Sequence, residues 1–233
     1  SKVSNINVSA VADKPKLMYD GTAVAEGMIY EIKGTEDVVI NMPKISVIDL
    51  DMNASRIVTT SILLLGDNGN VSCSSYDGVR FLSRNSSLIV AESLVPQANL
   101  LLDSLTYIGK NDFDATEDVK VSVDASILDL RIILNPVNDA PRFSFNTTKW
   151  DVDEDQQSRL DGISVNDPDN TLLTARLTAT KGTIMLLTTE GLSGEFSSGP
   201  RIVQSGSVQY INKALSTLMY VGQKDHFGKD TVT

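Results

Sequence analysis

Asn138-Asp139-Ala140-Pro141 sets an amide oxygen and a carboxylate beside a proline, near the middle of a 233-residue chain. The run before it, Leu130-Arg131-Ile132-Ile133-Leu134, reads as a strand. Proline cannot donate to a sheet ladder and biases the preceding residue toward extended backbone. Ala140-Pro141 is therefore expected to end one sheet and carry the chain, still extended, into the next module. Hard oxygen ligands on an extended connector suggest calcium, which takes roughly six to eight oxygens. Further acids recur in register. Glu36 precedes Asp49-Leu50-Asp51, Glu154 precedes Asp167-Pro168-Asp169, and the step from Glu to the first Asp is the same in both. In an extended segment Asp-x-Asp points both carboxylates to one side. Taken singly, Asp-x-Asp and Asn-Asp-x-Pro are turn formers, because Asp and Asn bond their own backbone. Repeated together with the Glu, they favour a cation.

The elements that must hold these residues also come in two copies. Ile6-Asn7-Val8-Ser9-Ala10-Val11 alternates like a strand and runs into Ala12-Asp13-Lys14-Pro15, a weaker form of the central connector. The expected layout is residues 1–12 as the last strand of a preceding module, 13–138 as one module and 139–233 as a second. In each copy a strand reaches a turn, Asn68-Gly69 or Lys181-Gly182, expected to be a hairpin in which Asn-Gly supplies positive φ. A short helical turn follows, Ala98-Asn99-Leu100-Leu101-Leu102 in one copy and Ile211-Asn212-Lys213-Ala214-Leu215 in the other. Each leads to a Tyr-x-Gly, Tyr107 or Tyr220, expected in the core. The second copy reaches Thr231-Val232-Thr233 without counterparts of the first copy's last strands. The sequence is accordingly expected to be a slice of a longer array, with any leader or anchor outside it. Repetition at this length suits β-sandwich domains in tandem and is too long for a solenoid.

Composition narrows the function. A formal net charge of −10 disfavours nucleic acid and anionic membranes. A hydrophobic content of 41% supports real cores. The single cysteine, Cys73, forms no intrachain disulfide and is expected to be a small buried residue. Five Asn-x-Ser/Thr sequons, at Asn7, Asn53, Asn70, Asn85 and Asn146, lean toward the secretory pathway and a surface or extracellular protein. No apolar run approaches a membrane span. One histidine, His226, makes no zinc cluster, and nucleophile-elbow and phosphate-loop motifs are absent. Glu190 and Glu195 have nothing that sets them across a cleft, and Trp150 is expected to pack on its sheet. The chain is expected not to be an enzyme.

The whole pattern resembles the cadherin-like repeat superfamily. The resemblance rests on Asn138-Asp139-Ala140-Pro141 as connector, Glu154 soon after it, and Asp167-Pro168-Asp169 further on. The family's Asp-Arg-Glu motif is absent, and Asp112 and Asp114 are the nearest acids to it. The resemblance implies an all-β fold of tandem antiparallel Greek-key sandwiches in an extended array. It also implies one calcium site at the joint, with Glu36 and Asp112 from the first module, Asn138 and Asp139 from the connector, and Asp167 and Asp169 from the second. Asp13, Asp49 and Asp51 would form a weaker site at the first joint, where Ala12 and Lys14 depart from the pattern. Like charges about 4 Å apart cost on the order of 4 kcal/mol per pair at an effective dielectric near 20, so such a set calls for a cation. The implied function is an extracellular adhesive rod stiffened by calcium, whose partners are other copies or other surface proteins. The alternatives are a subunit of an extracellular filament or matrix with laterally packed sandwiches, and a carbohydrate-binding accessory of a larger enzyme.

Overall fold

Alternation of apolar and polar residues puts most of the chain into strands. The computed structural model describes residues 13–49 and 56–233. The chain divides into two units between Val137 and Asn138. Both are all-β sandwiches, with one short helix each.

The first unit opens with β1 (Lys16–Tyr19), β2 (Thr22–Ala23), β3 (Ile29–Thr35), β4 (Ile40–Asn41) and β5 (Ile45–Ile48). It continues with β6 (Ile57–Leu64), β7 (Gly69–Ser72), β8 (Arg80–Arg84) and β9 (Leu88–Leu94). Helix α1 (Val95–Asp103), β10 (Thr106–Gly109), β11 (Thr116–Val123) and β12 (Ser126–Asn135) complete it. A six-stranded sheet has the order β3-β12-β11-β6-β9-β8, and two three-stranded sheets have the orders β2-β1-β5 and β4-β10-β7. Period-two alternation sets the core. In β6, Val58, Thr60, Ile62 and Leu64 are buried, and in β12 so are Leu128, Leu130, Ile132 and Leu134. Val47, Val71, Leu101 and Tyr107 fill the same core from the other elements. Every pair in the large sheet is antiparallel except β3–β12, which run parallel from Ile29↔Asp129 to Thr35↔Asn135. The crossover that a parallel pair requires is here the rest of the module.

The second unit repeats part of this order. It contains β13 (Arg142–Phe145), β14 (Ser158–Arg159), β15 (Ile163–Asn166), β16 (Leu172–Thr178), β17 (Thr183–Leu186) and β18 (Ser193–Glu195). After β19 (Ser198–Gly199) come β20 (Arg201–Ser207), α2 (Val208–Leu215) and β21 (Leu218–Val221). Its sheets are β13-β15, β14-β21-β17-β19 and β16-β20-β18. Its core gathers Val165, Leu177, Ile184, Ile202, Ile211 and Leu218. Among the described residues no helix is long and apolar enough to cross a membrane.

The expected hairpins at Asn68-Gly69 and Lys181-Gly182 do not form. β6 lies in the large sheet and β7 in a small one, and β16 and β17 are likewise separated. The chain turns a corner between layers at these points. Nor is positive φ the reason for the glycines, since neither Gly69 nor Gly182 has it. A Cβ on Gly69 would lie 2.5 Å from the Tyr107 ring, and one on Gly182 would lie 2.5 Å from the Val221 carbonyl oxygen. The glycines make room for the core tyrosine, whose ring sits over the corner. A buried acid ties the corner down. Glu117 accepts from the N–H groups of Gly66 at 2.7 Å and Asn68 at 3.2 Å. In the second unit Asp230 accepts from the N–H of Gly182 at 2.8 Å, the Tyr220 hydroxyl at 2.7 Å and the Thr180 hydroxyl at 2.5 Å.

Candidate metal centre

β15 ends at Asn166 because Pro168 cannot continue a ladder. Its last turn is held from the helix. Asn212 of α2 accepts from Val165 N at 2.8 Å and donates to Val165 O at 2.9 Å. Asn99 of α1 grips Val47 the same way, at 2.7 and 3.1 Å. Each clamp fixes the backbone two residues before an acid, Asp167 or Asp49. Sequence reasoning missed both. The available signal was an identical Asn at the same place in the two corresponding helical turns.

Asp167 and Asp169 do not lie on an extended strand. Asp167 Oδ1 accepts from the N–H groups of Asp169 at 3.0 Å and Asn170 at 2.7 Å, closing a turn on itself. Asp167 is therefore buried while Asp169 is exposed, so the two carboxylates do not share an exposed face. Burial alone would push the Asp167 carboxyl up. The bonds from Asn170 and Asp169 outweigh it and hold the group below the ordinary carboxylate value, charged at neutral pH. The turn draws the connector in. Asp139 N donates to Asp169 Oδ2 at 2.5 Å, and Asn170 Nδ2 donates to Asn138 Oδ1 at 2.9 Å. Asn138, Asp139, Asp167 and Asp169 thus form one hydrogen-bonded cluster within the second unit. Arg142 approaches Asp139 Oδ1 at 3.5 Å from the exposed start of β13.

In the first unit Glu36 is 2% exposed and accepts from Val137 N at 2.5 Å, so its carboxylate meets the residue just before Asn138. Asp112 N donates to Asp37 Oδ1 at 3.4 Å, which sets Asp112 beside the neighbour of Glu36. Both Asp37 and Asp112 have φ 58°, in the left-handed region that Asp tolerates better than most residues. The second unit repeats this arrangement: Asp225 N donates to Asp155 Oδ1 at 3.1 Å, with φ 54° and 56°. Asp37 and Asp155 were not singled out as candidate ligands from sequence, because residue type alone does not announce a left-handed backbone.

At the other end of the first unit an arginine stands beside the acid. Arg56 Nη1 lies 3.7 Å from Asp49 Oδ2 and donates to the carbonyl of Asp13 at 2.8 Å, while Nη2 reaches Asp124 at 3.3 Å. A guanidinium thus neighbours Asp49, whereas among the described residues Asp167 is bonded by Asp169 and Asn170 of its own turn. Asp51 lies outside the described residues. Of the sequon positions, Asn70, Asn85 and Asn146 are exposed, and Asn7 and Asn53 lie outside the described residues.

The candidate donors around the connector are all carboxylate or amide oxygens. Such a set suits a hard cation of calcium type and does not suit zinc or copper.

No family model matches the chain, and no curated protein matches it. Among solved structures it is similar to protocadherin gamma B2 extracellular cadherin domains 1–5. The identity is 13%, the TM-score is 0.30, and the match covers 83% of this chain and 32% of that one. It is also similar to the CsuC–CsuE chaperone–tip adhesion subunit complex of Acinetobacter baumannii Csu pili, at 10% identity and TM-score 0.30, covering 88% of this chain and 96% of that one. The adhesin InvE of Yersinia pseudotuberculosis matches at 11% identity and TM-score 0.21, covering 89% and 56%. The chain spans about a third of the protocadherin chain. At these values the likeness is one of β-rich architecture, and no residue or ligand carries over from it.

Proposed function

We propose that the chain is a pair of cadherin-like modules from an extracellular adhesive protein, and that calcium bound around the connector stiffens it. The observation that carries this reading is the cluster at the start of the second unit. Asn138, Asp139, Asp167 and Asp169 are hydrogen-bonded to one another, and three of them are acids. Glu36, bonded to Val137 N, and Asp112 are the first unit's candidate ligands in this reading. With the cation, the negative oxygens that would otherwise repel are neutralised, and the connector loses the freedom of an open linker. The protein acts without catalysis, by holding two modules in a fixed relation and displaying their surfaces to other copies or other surface proteins.

The test is thermal unfolding and calorimetric titration with calcium, with and without EGTA. Calcium is expected to raise the melting temperature and to bind in the range of about 0.1 to 1 mM, as extracellular modules do. Changing Asp167 and Asp169 together to Ala is expected to abolish both effects. Equal melting curves in calcium and EGTA would overturn the reading.

A second reading, a subunit of a filament with laterally packed sandwiches, draws on one surface feature. Phe143 and Phe145 of β13 stack at 5.9 Å and are each 50% exposed. Concentration-dependent assembly that disappears when both are changed to Ser would favour it.

A further inference from the structure

The four-stranded sheet β14-β21-β17-β19 turns one face to the core of the second unit, where Ile184, Leu186, Leu218 and Tyr220 are buried. Strand alternation puts Thr183, Met185, Met219 and Val221 on the other face, where they are half-buried. The register sets Met185 directly opposite Met219, with Arg159 beyond Met219 and Ser198 beyond Met185. One cross-strand row therefore runs Arg159, Met219, Met185, Ser198.

The first unit supplies the comparison. Gly69 and Tyr107 correspond to Gly182 and Tyr220, so Ser72 and Thr106 stand where Met185 and Met219 do, and they too are directly paired. Their hydroxyls bond each other at 2.7 Å, and Asn70 and Ser72 are exposed, so that face suits water. In the second unit the same place carries two thioethers, which are weak acceptors and no donors. They help line a hollow of about 120 Å³, with Gln157, Thr183, Ser198 and Val221 around it. Apolar surface continues past the end of the ladder. Leu186 N donates to Ser197 O at 2.8 Å, which extends the register to Leu187 opposite Phe196, 62% and 70% exposed. Phe196 has φ 61°, a backbone that a bulky residue rarely adopts. The buried Gln204 holds it there by donating to Phe196 O at 2.8 Å.

Size and charge select the occupant. The hollow is well below the roughly 300 to 1,000 Å³ of a small-molecule site and suits a single anchoring side chain. Methionine walls adapt to a leucine, isoleucine or methionine. Arg159 is exposed, donates to Ser216 O, and has no carboxylate partner among the described residues. Its remaining N–H groups suit a carboxylate next to the anchor. We propose that this face docks a loop of another protein, which buries one aliphatic side chain between Met185 and Met219 and sets an adjacent Asp or Glu against Arg159.

The probe is a capped hexapeptide, Gly-Ser-Leu-Asp-Ser-Gly, added to the whole chain labelled at its methionine methyls for NMR. The Met185 and Met219 methyl signals are expected to shift saturably, with half-saturation at roughly 1 mM, while those of Met18, Met28 and Met42 stay in place. Ala in place of the peptide's Leu is expected to remove the shifts. Arg159→Gln is expected to weaken binding by about two- to fivefold, the strength of an exposed ion pair, and to leave binding of a Leu-Asn peptide unchanged. Met185→Ser with Met219→Thr installs the first unit's pair on the same face. It is expected to abolish binding of dye-labelled peptide, read by anisotropy, while amide exchange at Ile184 and Leu218 stays as in the parent chain. Absent shifts, or equal shifts with the Leu and Ala peptides, would overturn the proposal. So would full affinity in Arg159→Gln. Movement of the same two methyls on concentrating the chain alone would make a second copy the occupant and overturn it too. Each result is expected in calcium and in EGTA alike, so failure here is separable from failure of the metal centre.

Discussion

Asp230 draws together several groups of the second unit. Its carboxylate is pushed up by burial but pulled well below the ordinary value by Thr180, Tyr220, Thr231 N and Gly182 N. The Tyr220 hydroxyl, desolvated and bonded to Asp230, is correspondingly pushed up to about 12. A depressed folded pKa gives stability that is fully present above the unfolded value, near pH 4, and is lost as pH falls toward the folded value. Urea unfolding of the second unit is therefore expected to weaken between about pH 4 and pH 2. Asp230→Asn is expected to cost about 2 to 3 kcal/mol at pH 7 and to flatten that acid limb. An unchanged acid limb in the variant would contradict the assignment. This role was not legible in the sequence. Asp230 meets Lys181 N and Gly182 N, groups 49 and 48 residues away, and a lone acid near a chain's last strand gives no sign of it. The acids around the connector stood out as candidates in the sequence because their types and spacing repeat.

Strand periodicity gave the layers, but it did not say which strands share a sheet. Alternation marks where strands lie, and pairing across a corner depends on contacts distant in sequence. That is why Asn68-Gly69 and Lys181-Gly182 suggested hairpins and the structure has corners. The glycines there answer to Tyr107 and Tyr220, so Gly182→Ala is expected to destabilise the second unit by about 2 kcal/mol, through overpacking. Chemical denaturation of the variant measures this. The helix clamp makes a second prediction for an element. Asn212→Ala removes both bonds to Val165 and is expected to cost about 1 to 3 kcal/mol. It is also expected to weaken calcium binding several-fold, because β15 delivers Asp167. Asn99→Ala, on the equivalent helix of the first unit, is expected to cost similar stability while leaving calcium affinity unchanged.

For the molecule as a whole, two sandwiches in tandem followed from the repeat, while the Asp-x-Asp geometry did not. An extended backbone would have aimed both carboxylates one way; the turn closed by Asp167 buries one and presents the other. The account requires that these acids act as a group on one hard cation, and that the connector stiffens when they do. Small-angle scattering in calcium is expected to show a narrower range of chain dimensions than in EGTA, and Asp167→Ala with Asp169→Ala is expected to resemble EGTA in both conditions. The most direct measurement is isothermal titration of the metal-free chain with calcium, beside the same titration of that double variant. The account predicts saturable binding near millimolar or below in the first and none in the second. Flat titrations in both, or equal binding in both, would contradict it.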